Sequence, residues 1–132
     1  AIFDRDGYRM VIWDAYRPYS TTVEMYSLFG EISSLIATPV KGSRYNRGAS
    51  VAITIETKDG EPVEMPTDNM TMDETLASRK NKGMSEEASA NLEYLTSVML
   101  RAGFTYIQTE WWHFDDTNWA YYPVMDYDLF DF

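Results

Sequence analysis

The sequence predicts a single α+β domain, and three observations carry that reading. A length of 132 residues suits one hydrophobic core. Short runs with strand character precede and follow one long, cleanly periodic helical run. No repeat and no Pro/Gly/Ser-rich linker divides them, and a content that is 45% apolar and 15% aromatic is enough to fill a core rather than leave a disordered chain.

The elements follow in order. Tyr8-Arg-Met-Val-Ile-Trp13 is rich in strand-favouring residues and is stopped by Arg17-Pro18, which predicts a buried strand feeding a loop at Asp14 to Pro18. From Ser20, a possible cap, the spacing of Thr22, Val23, Tyr26 and Phe29 predicts a short helix ended by Gly30. Pro39, Gly42, Ser43, Asn46 and Gly48 mark 38–48 as loop, after which Val51, Ile53 and Ile55 alternate as a strand over 49–56. Lys58-Asp-Gly60 reads as a turn, with 61–64 pairing back as a hairpin. The polar stretch 64–84, with scattered methionines, reads as a long surface loop of the kind that lies over binding sites.

Ser85-Glu-Glu87 then opens the clearest helix, with acids in its first turn and an apolar stripe at Ala88, Leu92, Leu95, Met99 and Ala102, ended by Arg101 and Gly103. Strands are predicted at 104–107 and 109–114. In the tail, Trp119, Tyr121 and Tyr122 are expected to complete the core rather than to form a contact surface.

Charge and composition narrow the function. A net charge of −10 repels phosphate and argues against a nucleic-acid partner, while favouring a cationic or zwitterionic ligand. No run approaches the ~18 uninterrupted apolar residues of a membrane span. With no cysteine, any metal must rest on His, Asp, Glu or Tyr. The opening Ala1-Ile-Phe-Asp-Arg-Asp-Gly resembles the middle of a domain, so an N-terminal part is expected to be missing.

Three clusters could carry chemistry: Asp14-Ala-Tyr-Arg-Pro18, Ser43-Arg-Tyr-Asn-Arg-Gly48 and Glu110-Trp-Trp-His113. An isolated Arg17 would ordinarily be a solvated salt bridge or loop anchor, and its place in a tight Pro-bounded loop adds only slightly to the case for a functional role. Glu110 and His113 would face opposite sides of a strand unless a bend brings both to one pocket. Neighbouring tryptophans could exclude water and raise a glutamate towards the range of a general base, making Glu110 the acid/base candidate.

In this order, and followed by Phe114-Asp115, the three motifs resemble the zinc D-alanyl-D-alanine dipeptidases of the vancomycin-resistance type, over the span from Trp13 to His113. The resemblance implies a small antiparallel sheet with flanking helices. It makes Arg17 the group that stabilises an oxyanion, Glu110 the base that activates water, and Ser43 a substrate contact. The family's zinc ligands come from a Ser-x-His-x-x-Gly-x-x-x-Asp pattern and a later His. Here Ser43 and Gly48 match, but Tyr45 and Ala52 hold the His and Asp places, so His113 alone survives as a metal ligand. Asp115 or Asp116 would have to substitute. The family's substrate-amine aspartate falls near Met70 in a gapless reading, with Asp68 or Asp73 as replacements.

The expectation is therefore weak or absent zinc, and a domain that keeps a pocket for D-Ala-D-Ala or a related short peptide without turnover. Two alternatives stay open: an active zinc dipeptidase completed by an unforeseen ligand, and a structural or interaction role for the tail from Trp119 to Phe132, with an oligomer among its outcomes. The resemblance implies bacterial cytoplasm or cell envelope.

Overall fold

The computed structural model describes residues 2–131; Ala1 and Phe132, the two ends of the sequence, lie outside the described residues. A four-stranded sheet is built from β1 (Tyr8–Asp14), β2 (Ser50–Thr57), β3 (Phe104–Tyr106) and β4 (His113–Asp116) in the order β1-β2-β4-β3. Every neighbouring pair is antiparallel. Helices flank it: α1 (Ile2–Arg5), α2 (Tyr19–Phe29), α3 (Glu74–Ala77) and α4 (Glu86–Arg101). The α+β class and small antiparallel sheet predicted from the sequence are both present.

The central strand divides the two faces. Residues opposite one another in a ladder share a face, so Val51, Ile53 and Ile55 of β2 lie with Phe114 of β4. This face packs against the Leu92, Leu95 and Met99 stripe of α4 to form the core. Burying such side chains supplies about 1.5–3 kcal/mol each, which makes this layer the main support of the sheet. The Ser85 side chain caps α4 by accepting from the Ala88 amide at 3.0 Å. Gly103 ends it at φ +90°, a conformation that an L side chain resists.

The opposite face of β2 carries Ser50 and Ala52. Ala52 pairs with His113 on β4 and with Asp14 on β1. A bulge sets that second pairing, because the register moves from Ile12 opposite Ile53 to Asp14 opposite Ala52, leaving Trp13 as the extra residue. Without it Trp13 would occupy Asp14's place. The bulge thus aims a carboxylate, rather than an indole, at the face with His113.

Several expected boundaries move. β1 is an edge strand, so Met10 and Ile12 are exposed rather than buried. The return strand of the hairpin shrinks to a single bridge between Glu56 and Pro62. Of the apolar spacing on α2 only Thr22 is buried, and its N-cap is Pro18 with no side-chain cap. Ala102 caps α4 and is exposed, while Val98 takes a place in the buried stripe. Residues 107–112 form no strand. They are held by Arg79, whose guanidinium donates to the Ile107 carbonyl at 3.0 Å, the Trp111 carbonyl at 2.8 Å and Thr96 Oγ1 at 2.7 Å. The Arg79 amide bonds Gln108 O, and Trp111 N bonds Ala77 O. The end of the long 64–84 loop is therefore a brace for the segment that bears Glu110.

Candidate functional site

A 3-10 turn at Arg44–Arg47 brings the second motif against the first. The Ser43 side chain accepts from the Tyr45 amide at 3.2 Å, and Asn46 Oδ1 accepts from the Ser43 amide at 2.7 Å, a reciprocal cap on a short turn. Gly48 ends it at φ +61°, which favours glycine. Asn46 is fully buried, and its amide donates to Arg17 O at 2.9 Å, Pro18 O at 3.2 Å and Thr22 Oγ1 at 2.9 Å. One side chain thus ties the Arg17 loop and the start of α2 to the Ser43 turn. Sequence reasoning gave Asn46 no role, although its place three residues after a capping serine was the available signal.

Arg17 bonds Asp14 and lies 4.8 Å over the Tyr45 ring, while its amide donates to Tyr45 O at 3.1 Å. The Tyr45 ring meets the His113 ring edge-on at 5.1 Å. The Glu110-Trp-Trp-His113 segment bends, with His113 N reaching Glu110 O at 3.4 Å. That bend, rather than a strand, puts both side chains on one side: His113 Nδ1 lies 3.3 Å from Glu110 Oε2. The contact is close enough for charge attraction yet off the hydrogen-bond direction, and Nδ1 is a buried nitrogen without a hydrogen-bond partner.

The other ring nitrogen is engaged. His113 Nε2 lies 2.6 Å from Asp115 Oδ1, and the same oxygen accepts from Ser50 Oγ at 2.6 Å. Arg44, stacked on Trp119 at 4.2 Å, bonds the second oxygen of the fully buried Asp115. Burial works hardest against a charged imidazole at His113, but the Asp115 and Glu110 carboxylates outweigh it and hold the group above its ordinary value. Burial likewise opposes ionisation of Asp115, yet His113, Ser50 and Arg44 together hold it below the usual carboxylate range. Asp115 is thus a partner of His113 from behind rather than a substitute metal ligand, and Asp116 caps the Asn118 amide instead.

A cavity of about 360 Å³ gathers Arg17, Ser43, Tyr45, Glu110 and His113. Asp68 does not line it: its side chain is exposed on the 66–73 loop, whereas Met70, Thr71 and Met72 of that loop reach the cavity. Asp73 caps α3 through the Thr75 and Leu76 amides.

A catalytic zinc takes about three protein ligands and an open position. At the places where such ligands would stand, Ala52 offers no donor atom and is 0% exposed. Tyr45 offers a phenol whose ionisation is pushed well up, first by burial and then by the charges of Glu110 and Asp14, despite Arg17. Among the described residues no three His, Cys, Asp or Glu side chains gather as a metal cage. This donor set does not fit a catalytic zinc. None of the described helices is long and apolar enough to cross a membrane.

Comparison with known proteins agrees with the motif order. A family model described as D-ala-D-ala dipeptidase matches residues 1–128. The chain is similar to a D-alanyl-D-alanine dipeptidase of Escherichia coli (strain K12), 27% identical over 125 residues, covering 95% of this chain and 64% of that relative.

Proposed function

The chain belongs to the D-Ala-D-Ala dipeptidase family, and from that premise we propose that it is a catalytically silent member which binds D-Ala-D-Ala or a related short peptide without hydrolysing it. The observation that carries the reading is the ligand set: a buried phenol at Tyr45 and a methyl at Ala52 leave His113 Nδ1 as a lone donor beside Glu110. Without a metal to lower its pKa from ~15.7 towards ~7, water supplies very little hydroxide at neutral pH. A carboxylate base at Glu110 does not replace that effect.

The remaining groups suit recognition. Arg17 keeps N–H donors beyond those facing Asp14 and offers a planar fork to a peptide carboxylate. Glu110 offers an anion to a peptide amine, and the Ser43 hydroxyl a further donor. Arg17 and Arg44 lining the cavity together with Glu110 match a zwitterion better than a singly charged ligand.

Metal analysis of protein purified without chelator, combined with calorimetric titration and a hydrolysis assay on D-Ala-D-Ala, tests this. The expected result is clearly sub-stoichiometric zinc, measurable heat of binding and no alanine release. One zinc per chain with dipeptide hydrolysis would overturn the silent reading, and no heat up to millimolar dipeptide would overturn the binding one.

A further inference from the structure

The cavity beside Arg17 has a second lining that the motifs do not account for. Met25 from α2, Leu35 and Ile36 from the segment after it, and Met70 and Met72 from the 66–73 loop all contribute to it. Three of the chain's eight methionines thus converge from two separate elements on one cavity. Met70 and Met72 are each 43% exposed, so apolar thioether surface there is open to be covered. Methionine is unbranched and polarisable, and it packs against varied apolar shapes and against aromatic ring edges. A methyl side chain covers little of such a lining, whereas a large side chain covers much of it.

We propose that the site selects a short zwitterionic peptide bearing a large apolar side chain over D-Ala-D-Ala, with Met70 and Met72 as the specificity-determining contacts. The inference rests on the binding role given above for the Arg17 cavity. Burying one large apolar side chain is worth about tenfold or more in affinity.

Titration calorimetry with D-Ala-D-Ala and D-Ala-D-Phe tests it, on the unaltered chain and on a Met70→Ser/Met72→Ser variant. Both positions are exposed loop sites, and circular dichroism verifies that the variant folds. The unaltered chain is expected to bind D-Ala-D-Phe about tenfold more tightly, and the variant to bind the two peptides alike. Methionine ε-methyl NMR resonances of residues 70 and 72 are expected to shift upfield under the phenyl ring. Equal affinities on the unaltered chain, or a preference that survives the double substitution, would overturn the selectivity while leaving the pocket standing. Binding of neither peptide would remove the pocket reading itself.

Discussion

Ala52 does more than lack a ligand atom: it adds no charge beside His113, which already faces the Asp115 and Glu110 carboxylates. Its Cβ stands between Asp14 and His113 in the sheet, fully buried. Ala52→Asp would add another anion there with no new cation, at a cost of about 2–4 kcal/mol by urea denaturation. Paired with Tyr45→His, the same substitution recreates a three-ligand set, so zinc is expected to raise the melting temperature of the double variant and not of either single one. The His113–Asp115 pair sets a pH window in the same way. His113 is held above its unfolded value of ~6.5, so its contribution is complete below that pH and is lost as pH rises through the higher folded value. Asp115 is held below ~3.9, so its contribution is present above that pH and is lost as pH falls through the lowered value. The pair's contribution is therefore greatest between about pH 4 and 6.5. Urea midpoints at pH 5.5 and 8.5 check this: the fall towards pH 8.5 is expected to flatten in His113→Asn. As the chain has one histidine, its imidazole NMR titration is free of overlap.

Between residue and whole molecule, the elements that were legible in the sequence are those whose cause is local. β2 announces itself through alternating Val51, Ile53 and Ile55, and α4 through a serine cap and a stripe at helical spacing. The Glu110 bend is different, because what holds it is distant. Arg79 and Ala77 lie some thirty residues upstream, and no spacing rule connects them to 107–111. For the same reason β1 looked buried: its apolar run is real, but its place at the sheet edge is a property of the topology. The Arg79 guanidinium lies over the rings of Tyr106 at 4.4 Å and Phe114 at 4.9 Å, and burial lowers its pKa to about 10, which still leaves it charged at neutral pH. Arg79→Met keeps the packing and loses the donors to Ile107 O, Trp111 O and Thr96. Leaving buried carbonyls unpaired is expected to cost about 2–4 kcal/mol. Hydrogen exchange should show the effect concentrated at 107–112, with D-Ala-D-Ala affinity falling as Glu110 loses its fixed place. Uniform loss of protection across the fold, with no excess at 107–112, would contradict a local brace.

At the scale of the whole molecule, the chain closes on itself at the candidate site. The segment after β4 runs back over the Arg17 and Ser43 motifs: Met125 N donates to Asn46 O at 2.9 Å and Tyr19 N donates to Met125 O at 3.1 Å. Asp126 accepts from the Ser20 amide at 2.8 Å, Arg47 reaches the Tyr122 carbonyl, and Trp119 lies under Arg44 and Arg47. The aromatic side chains were expected to fill the core, but Tyr121 is 87% exposed and Tyr122 is also exposed, with Trp119 half-buried. Pattern alone misplaced them because the tail is held through its backbone and through arginine stacking, neither of which has a hydrophobic period. Hydrogen bonds of this kind contribute about 0.5–1.5 kcal/mol each and cation–π contacts about 0.5–1. Removing 119–132 is therefore expected to cost at least about 3 kcal/mol, read as a lower urea midpoint. Arg44 would lose Trp119, and Asn46 its bond from Met125, so the loss should reach Asp115 and the cavity, and D-Ala-D-Ala heat should disappear with it. Light scattering on both forms gives the counter-test. An unchanged urea midpoint with a drop in mass on truncation would assign the tail to contacts between chains instead of to the site.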